Sequence, residues 1–173
     1  EEYCFLKALE GVVINESEAY RIPRGSFVGK EDFFSIGTRR YQNISVQKSS
    51  SLWETSKEYI NTPYLWGGKT PWGIDCSGLT QVIYRIYGYN LPRDAYMQAN
   101  EGVLVQYVDK KPGDLAFFEN SSGKLTHVGI VGPKHQIIHA AGFVKIDLLT
   151  VEGIWNEKYN RQTHNLAQIR RVL

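Results

Sequence analysis

The sequence predicts an α+β fold built on an antiparallel sheet, and three observations carry the prediction. Capped segments of helical period lie between residues 51 and 88. A loop rich in Gly and Trp separates them, and from residue 103 onward the hydrophobic period changes to two. The chain has 173 residues, about one domain's worth at roughly 100–200 residues per domain, with room for a small appendage.

That appendage is read at the front, as a β-rich segment over 1–48, with the main domain over 49–173. Val12-Val13-Ile14, Ala19-Tyr20-Arg21-Ile22 and Ser26-Phe27-Val28 are short β segments, the last two divided by a turn at Pro23-Arg24-Gly25. So short a segment buries little core alone and is expected to lean on the main domain. Gln47 to Ser51 is a polar boundary. Ser51 with Glu54 forms a capping box, and Leu52, Ser56, Tyr59 and Ile60 share the face of a helix that Asn61-Thr62-Pro63 ends. The clearest helix comes after the Gly/Trp loop. Leu79, Val82, Ile83, Ile86 and Tyr87 keep helical spacing, Gly88 ends the run and Asp75 is its N-cap. Then Leu115–Phe118, Leu125–Val131, Gln136–Ala141 and Val144–Leu149 read as strands, with Asn165–Leu173 as a closing strand.

Composition narrows the function classes. Hydrophobic residues make up 42% of the chain, so it folds, and 20 basic against 18 acidic residues leave a net charge of +2. That balance argues for neither nucleic acid nor a membrane surface. No apolar stretch approaches the 18 residues of a membrane span. The start, Glu1 to Ile14, lacks the basic flank of a signal peptide and an initiator Met, so a trimmed product is expected. Two cysteines, Cys4 and Cys76, make no disulfide framework.

Cys76 is the more informative of the two. Its place at a helix N-terminus offers partial positive charge and free N–H groups to a thiolate. A buried structural cysteine is the alternative, and polar Asp75 and Ser77 on either side speak against it. An acidic neighbour raises a thiol pKa, so Asp75 must turn away, as a cap or as the ligand of a cation. A cysteine nucleophile also needs a base and a group that orients the base. His135, in a turn, and His164, in a polar segment, read as solvated surface. His127 and His139 lie in apolar strands of one hairpin. Their index sum is even, so an odd loop such as Gly132-Pro133-Lys134 puts both rings on one face, opposed at about 4.5–5.5 Å between β-carbons. Zinc on Cys76, His127 and His139 is the competing chemistry, and it lacks the usual short ligand spacing. Gly67-Gly68-Lys69-Thr70 ends like a phosphate-binding loop without the required upstream glycine.

Pro63-Tyr64-Leu65-Trp66-Gly67-Gly68, Asp75-Cys76-Ser77-Gly78, Pro112-Gly113-Asp114-Leu115, His127-Val128-Gly129-Ile130 and Ile138-His139-Ala140 occur in that order. Over roughly residues 51–173 this set resembles the NlpC family, papain-like cysteine peptidases that cut bacterial cell-wall peptides. The resemblance implies a papain-like fold in which early helices carrying the cysteine pack on an antiparallel sheet. It makes Cys76 the nucleophile, His127 the base and His139 its orienter. Tyr64 and the backbone at Cys76 would receive the oxyanion. Gly67 to Asp75 and Leu91-Pro92-Arg93-Asp94-Ala95-Tyr96 are similar to the γ-D-glutamyl-L-diamino acid endopeptidase branch. That likeness implies that Asp75 holds the ammonium of a free N-terminal L-alanine, Ser77 holds the glutamate carboxylate, and Asp94, Ala95 and Trp66 complete the substrate pocket. Residues 1–48 are short for the small Src-homology-like barrels of that branch, and read as a remnant of one or as a cut through a longer protein.

The implied partners are peptidoglycan stem peptides (L-alanyl-γ-D-glutamyl-diamino acid), acted on by a monomer without a cofactor. The implied setting is the bacterial envelope, with cytoplasmic recycling as the alternative. Two rival readings remain. One is a broader endopeptidase on intact wall, and the other a non-catalytic wall-binding module that uses Trp66, Trp72 and neighbouring tyrosines for stacking.

Overall fold

The computed structural model describes residues 3–5, 10–14, 19–23, 26–29, 33–36, 38–43 and 51–173. At the front, β1 (Tyr3–Phe5) pairs with β4 (Phe27–Gly29). β2 (Glu10–Ile14), β3 (Ala19–Pro23), β5 (Phe33–Ile36) and β6 (Arg39–Asn43) form an antiparallel sheet in the order β3-β2-β6-β5. The segments read as β at Val12–Ile14 and Ala19–Ile22 fall inside β2 and β3. Arg24 and Gly25 of the expected turn, and Gln47 to Ser50 of the expected boundary, lie outside the described residues.

Ser51 caps α1 (Leu52–Lys57), accepting the Glu54 N–H at 3.2 Å. The helix is shorter than its apolar pattern suggests. It unwinds after Lys57, so Tyr59 is buried and Ile60, expected on the same face, is exposed. A small hairpin of β7 (Lys69–Thr70) and β8 (Gly73–Ile74) leads into α2 (Cys76–Ile86). Leu79, Val82, Ile83 and Ile86 are buried on it as the spacing predicts. Gly88, at φ +86°, succeeds the helix with a backbone that other residues rarely adopt. A single turn, α3 (Ala95–Gln98), comes next.

β9 (Val103–Val105) precedes β10 (Leu115–Glu119), β11 (Leu125–Val131), β12 (Gln136–Ala141), β13 (Phe143–Leu149), β14 (Gly153–Asn156) and β15 (Arg161–Arg171). The sequence reading expects helices packed on an antiparallel sheet; the structure keeps the α+β content and closes the sheet on itself. β15 is 11 residues long, and while one side pairs with β14 and β9, its other side returns to β10. The strands from β10 to β15 therefore close into an antiparallel barrel, and closure removes the free edges of an open sheet.

Strand alternation sorts the side chains into two cores. Ala116, Phe118, Val131, Ile137, Leu149, Ile154 and Ile169 fill the barrel. Leu115, Phe117, Val128, Ile130 and Ile138 face outward and join Leu79, Ile83 and Tyr84 of α2 in the other cluster. α2 thus lies against β11 and β12 on the outside of the barrel. Among the described residues, no helix is long and apolar enough to cross a membrane.

Candidate active site

Cys76 opens α2, and the preceding loop clamps it there. Asp75 caps the helix through the Gly78 N–H at 2.6 Å and accepts the Gly67 N–H at 2.7 Å. Its own N–H donates to the Gly68 carbonyl at 3.3 Å. A β-carbon at Gly78 would collide with that carbonyl and lie 2.8 Å from the Asp75 carboxylate, so only glycine fits. The loop, the cap and the helix start form one interlocked unit.

Asp75 has the cation its sequence position calls for, supplied by the chain itself. Arg93 Nη1 donates to Asp75 Oδ1 at 3.0 Å and to Ser77 Oγ at 2.8 Å, and Nη2 pairs with Asp75 Oδ2. Both carboxylate oxygens are engaged before any substrate arrives. Sequence reasoning missed Arg93, although it sits inside the Leu91-Pro92-Arg93-Asp94 segment singled out for substrate.

A cleft of about 530 Å³ opens at this unit and is lined by Trp66, Asp75, Cys76, Ser77, Asp94 and Ala95, all named from the sequence. Arg93, Tyr96 and Lys124 also line it, giving it both signs of charge. Trp66 is 84% exposed at its rim. Tyr64 is held by its N–H to the Gly142 carbonyl at 2.9 Å. Burial pushes its phenol up, with Cys76 and Asp75 adding to the shift as the phenol titrates, so it stays a donor near neutral pH.

The thiol is 7% exposed, and burial pushes its pKa up. Backbone N–H groups of Val128, Ser77 and Cys76 itself oppose that shift without overcoming it. The helix terminus therefore lowers the cost of a thiolate, while burial raises it. The Val128 N–H belongs to the peptide directly after His127, so the sulfur lies beside the strand that carries the histidine.

His127 and His139 share one face, as the even index sum requires, but the register differs from simple opposition. His139 pairs with Gly129 and Val131 with Ile137, so the connection is two residues longer than Gly132-Pro133-Lys134. The histidines are diagonal neighbours, and the long imidazoles bridge the gap. Their rings stand at 85° with centroids 5.0 Å apart, and His127 Nε2 lies 2.8 Å from His139 Nδ1. The Nδ1 of His127 takes no part in that bond. His139 Nε2 lies 3.0 Å from Asp147 Oδ2, and Asn156 Nδ2 donates to Asp147 Oδ1 at 3.0 Å.

Sequence reasoning missed Asp147 and Asn156. The available signal was a carboxylate inside an apolar strand, at a position facing the barrel interior. His164 reads as solvated surface in the sequence and is instead half-buried, stacked on His127 with centroids 4.2 Å apart at 26°. Its pairing on β15 with Ile154 turns it into the barrel. His135 stays at its exposed turn, near Lys110 and Tyr107.

Burial holds all three clustered imidazoles neutral near pH 7. It pushes His127 well below its usual value, with His139, His164 and Lys145 adding to the shift. It lowers His139 too, only partly offset by Asp147, and takes His164 down to about 4. The nitrogens of His127, His139 and His164 lie within 4.8 Å of one another, the geometry nearest to a metal centre among the described residues. Two of the three are already hydrogen-bonded to each other through the nitrogens that face inward.

Helix-borne Cys76 thus lies beside a barrel that carries a histidine pair. Residues 61–164 match the NlpC/P60 family, and the chain belongs to that family. It is 38% identical over 120 residues to the gamma-D-glutamyl-L-lysine dipeptidyl-peptidase of Bacillus subtilis, covering 66% of this chain and 40% of that protein. It is 32% identical over 130 residues to the probable endopeptidase NlpC of Escherichia coli, covering 74% of this chain and 80% of that protein. The crystal structure of an NlpC/P60 family protein from Bacillus cereus superposes with a TM-score of 0.77 at 23% identity, covering 99% of this chain and 63% of that one. That likeness concerns the fold. The chain spans less than half the length of the Bacillus dipeptidyl-peptidases it matches.

Proposed function

We propose that this protein is a cysteine endopeptidase that hydrolyses the γ-D-glutamyl-L-diamino acid bond of peptidoglycan stem peptides, acting on fragments with a free N-terminal L-alanine. The observation that carries the reading is the convergence of Cys76, Asp75, Ser77, Asp94 and Ala95 on one cleft, with the Cys76 sulfur held by the N–H of Val128, the residue after His127. The likeness to a gamma-D-glutamyl-L-lysine dipeptidyl-peptidase supports the same bond.

A nearly enclosed thiol needs a base to take its proton. His127 takes the Cys76 proton as sulfur attacks the γ-glutamyl carbonyl. The oxyanion is received by the Cys76 N–H and the Tyr64 hydroxyl. His127 returns the proton to the departing amine, then activates the water that hydrolyses the thioester, while His139 orients it. Arg93 joins Ser77 in meeting the glutamate carboxylate. With both Asp75 oxygens engaged, the alanine ammonium falls to Asp94, whose side chain caps no amide of α3.

The E. coli relative, named a probable endopeptidase and covered over 80% of its length, leaves room for a second reading as a broader endopeptidase, which we extend to intact wall. One experiment separates the two. Free L-alanyl-γ-D-glutamyl-diamino acid, its N-acetyl form and intact sacculi are each given to the protein and to its Cys76→Ala and Cys4→Ser variants. A charge-assisted hydrogen bond contributes about 1.5–3 kcal/mol, so acetylation is expected to lower kcat/KM at least about tenfold. Cys76→Ala loses all turnover and Cys4→Ser keeps most of it. Equal cleavage of capped and free peptide would establish the broader reading, and full activity in Cys76→Ala would refute both.

A further inference from the structure

We infer that Asp147 is a positioning residue that sets the tautomers of both site histidines, acting through His139 and held in register by Asn156. The inference rests on the peptidase reading only for its kinetic consequences; the proton positions follow from the hydrogen bonds to an ionised carboxylate.

Asp147 is a carboxylate. Burial would raise its pKa, but hydrogen bonds from His139 and Asn156 and the nearby Lys145 ammonium more than offset that, so it is ionised near neutral pH. An ionised carboxylate only accepts. The 3.0 Å contact with His139 therefore needs the proton on His139 Nε2. A neutral imidazole carries one N–H, so His139 Nδ1 is an acceptor, and the 2.8 Å contact needs the proton on His127 Nε2. His127 Nδ1 is then left as a bare lone pair, the only nitrogen of the pair that can take the thiol proton. When it does, the new imidazolium still donates from Nε2 to His139, which still donates to Asp147. The chain supplies the anion that a Cys-His-His set by itself lacks. The other charged or titratable groups facing this line are Lys145 on β13, His164 on β15 and Cys76 with Asp75 beside it at the start of α2.

Asn156 makes the chain directional. Its Oδ1 accepts the Tyr159 N–H at 3.1 Å, which pins the amide so that Nδ2 must point at Asp147. In Asp147→Asn, the new amide is therefore forced to turn its oxygen to Asn156 and its NH₂ to His139 Nε2. His139 must then move its proton to Nδ1, and His127 must move its own to Nδ1, where no base faces the thiol. The double variant Asp147→Asn/Asn156→Asp exchanges the two groups. Its carboxylate takes the NH₂ of the new amide, whose oxygen again accepts from His139 Nε2.

The test is ¹⁵N NMR of histidine-labelled protein at pH 7.5, with steady-state cleavage of the free tripeptide in parallel. In the wild type, the protonated nitrogen of both His127 and His139 is expected to be Nε2. In Asp147→Asn both are expected to switch to Nδ1, with kcat falling about 10²–10⁴-fold, the range of a lost general base, and KM within about threefold. The double variant is expected to restore Nε2 protonation and at least about tenfold of the lost kcat. A wild-type His139 protonated on Nδ1 would overturn the inference even if no variant folds. So would an Asp147→Asn protein with kcat within about threefold of wild type, or a double variant no better than the single one. If the wild type shows the stated tautomers but cleaves no γ-glutamyl peptide, the peptidase reading fails and the proton order stands.

Discussion

At Cys76 two opposing effects meet, and burial is the larger. A nearly enclosed sulfur next to Asp75 favours the thiol, while three backbone N–H groups favour the thiolate. Arg93 keeps the Asp75 charge from dominating the site by pairing with it. His164 adds a separate sensitivity to acid. In the folded chain its ring titrates at about 4, against about 6.5 when unfolded. Between those values the unfolded chain binds the proton and the folded chain does not, so stability is lost as pH falls through that window. His164→Phe keeps an aromatic ring on His127 without the titration. Its Tm is expected to drop less than that of the wild type between pH 7 and pH 4.5, and equal drops would show that the stacked ring carries no such cost. The sequence made Cys76, His127 and His139 legible because each lies in a compact motif. It hid Asp147, Asn156 and His164, which reach the site from β13, β14 and β15 and are brought together only by long-range strand pairing.

Local rules also account for the elements on which the site is built. The cap at Ser51, the cap at Asp75 and the glycine after α2 all appear where spacing put them. The strands β11 and β12 match their sequence bounds to the residue. Parity correctly put both histidines on one face, while loop length alone could not tell three residues from five between the paired ends. Barrel closure left no local trace either, because it depends on β15 meeting β10 some 50 residues earlier in the chain. The tightest local constraint is at Gly78, against the Gly68 carbonyl and the Asp75 carboxylate. Gly78→Ala is expected to destabilise by about 1–3 kcal/mol, as overpacking does. Because the displaced groups are the cap and the Trp66-bearing loop, kcat/KM is expected to fall about tenfold or more at temperatures where the variant is folded. A lowered Tm with unchanged kcat/KM would show that the loop and the site are not coupled.

At the scale of the whole molecule, two buried cores and a closed barrel organise residues 51–173. Among the described residues, every member of the two clusters lies between Leu52 and Val172. The barrel offers no open edge on β10 or β15 for a further sheet to complete, since each already pairs on both sides. α1 is tied to this unit as well, because Trp53 is buried in its outer core and the Asn61 N–H donates to the Val144 carbonyl of β13 at 2.8 Å. We propose the boundary near residue 48 as a limit of folding; among the described residues, the front strands pair with one another. The 49–173 fragment is therefore expected to melt in a single cooperative transition, within about 5 °C of the full chain, since a loss of 1 kcal/mol shifts Tm by only a few degrees at this size. Differential scanning calorimetry with near-ultraviolet circular dichroism checks both cooperativity and fixed packing. A broad melt without near-ultraviolet signal would mean that the front strands complete the core, and that the chain folds as one unit rather than as a peptidase domain with an appendage.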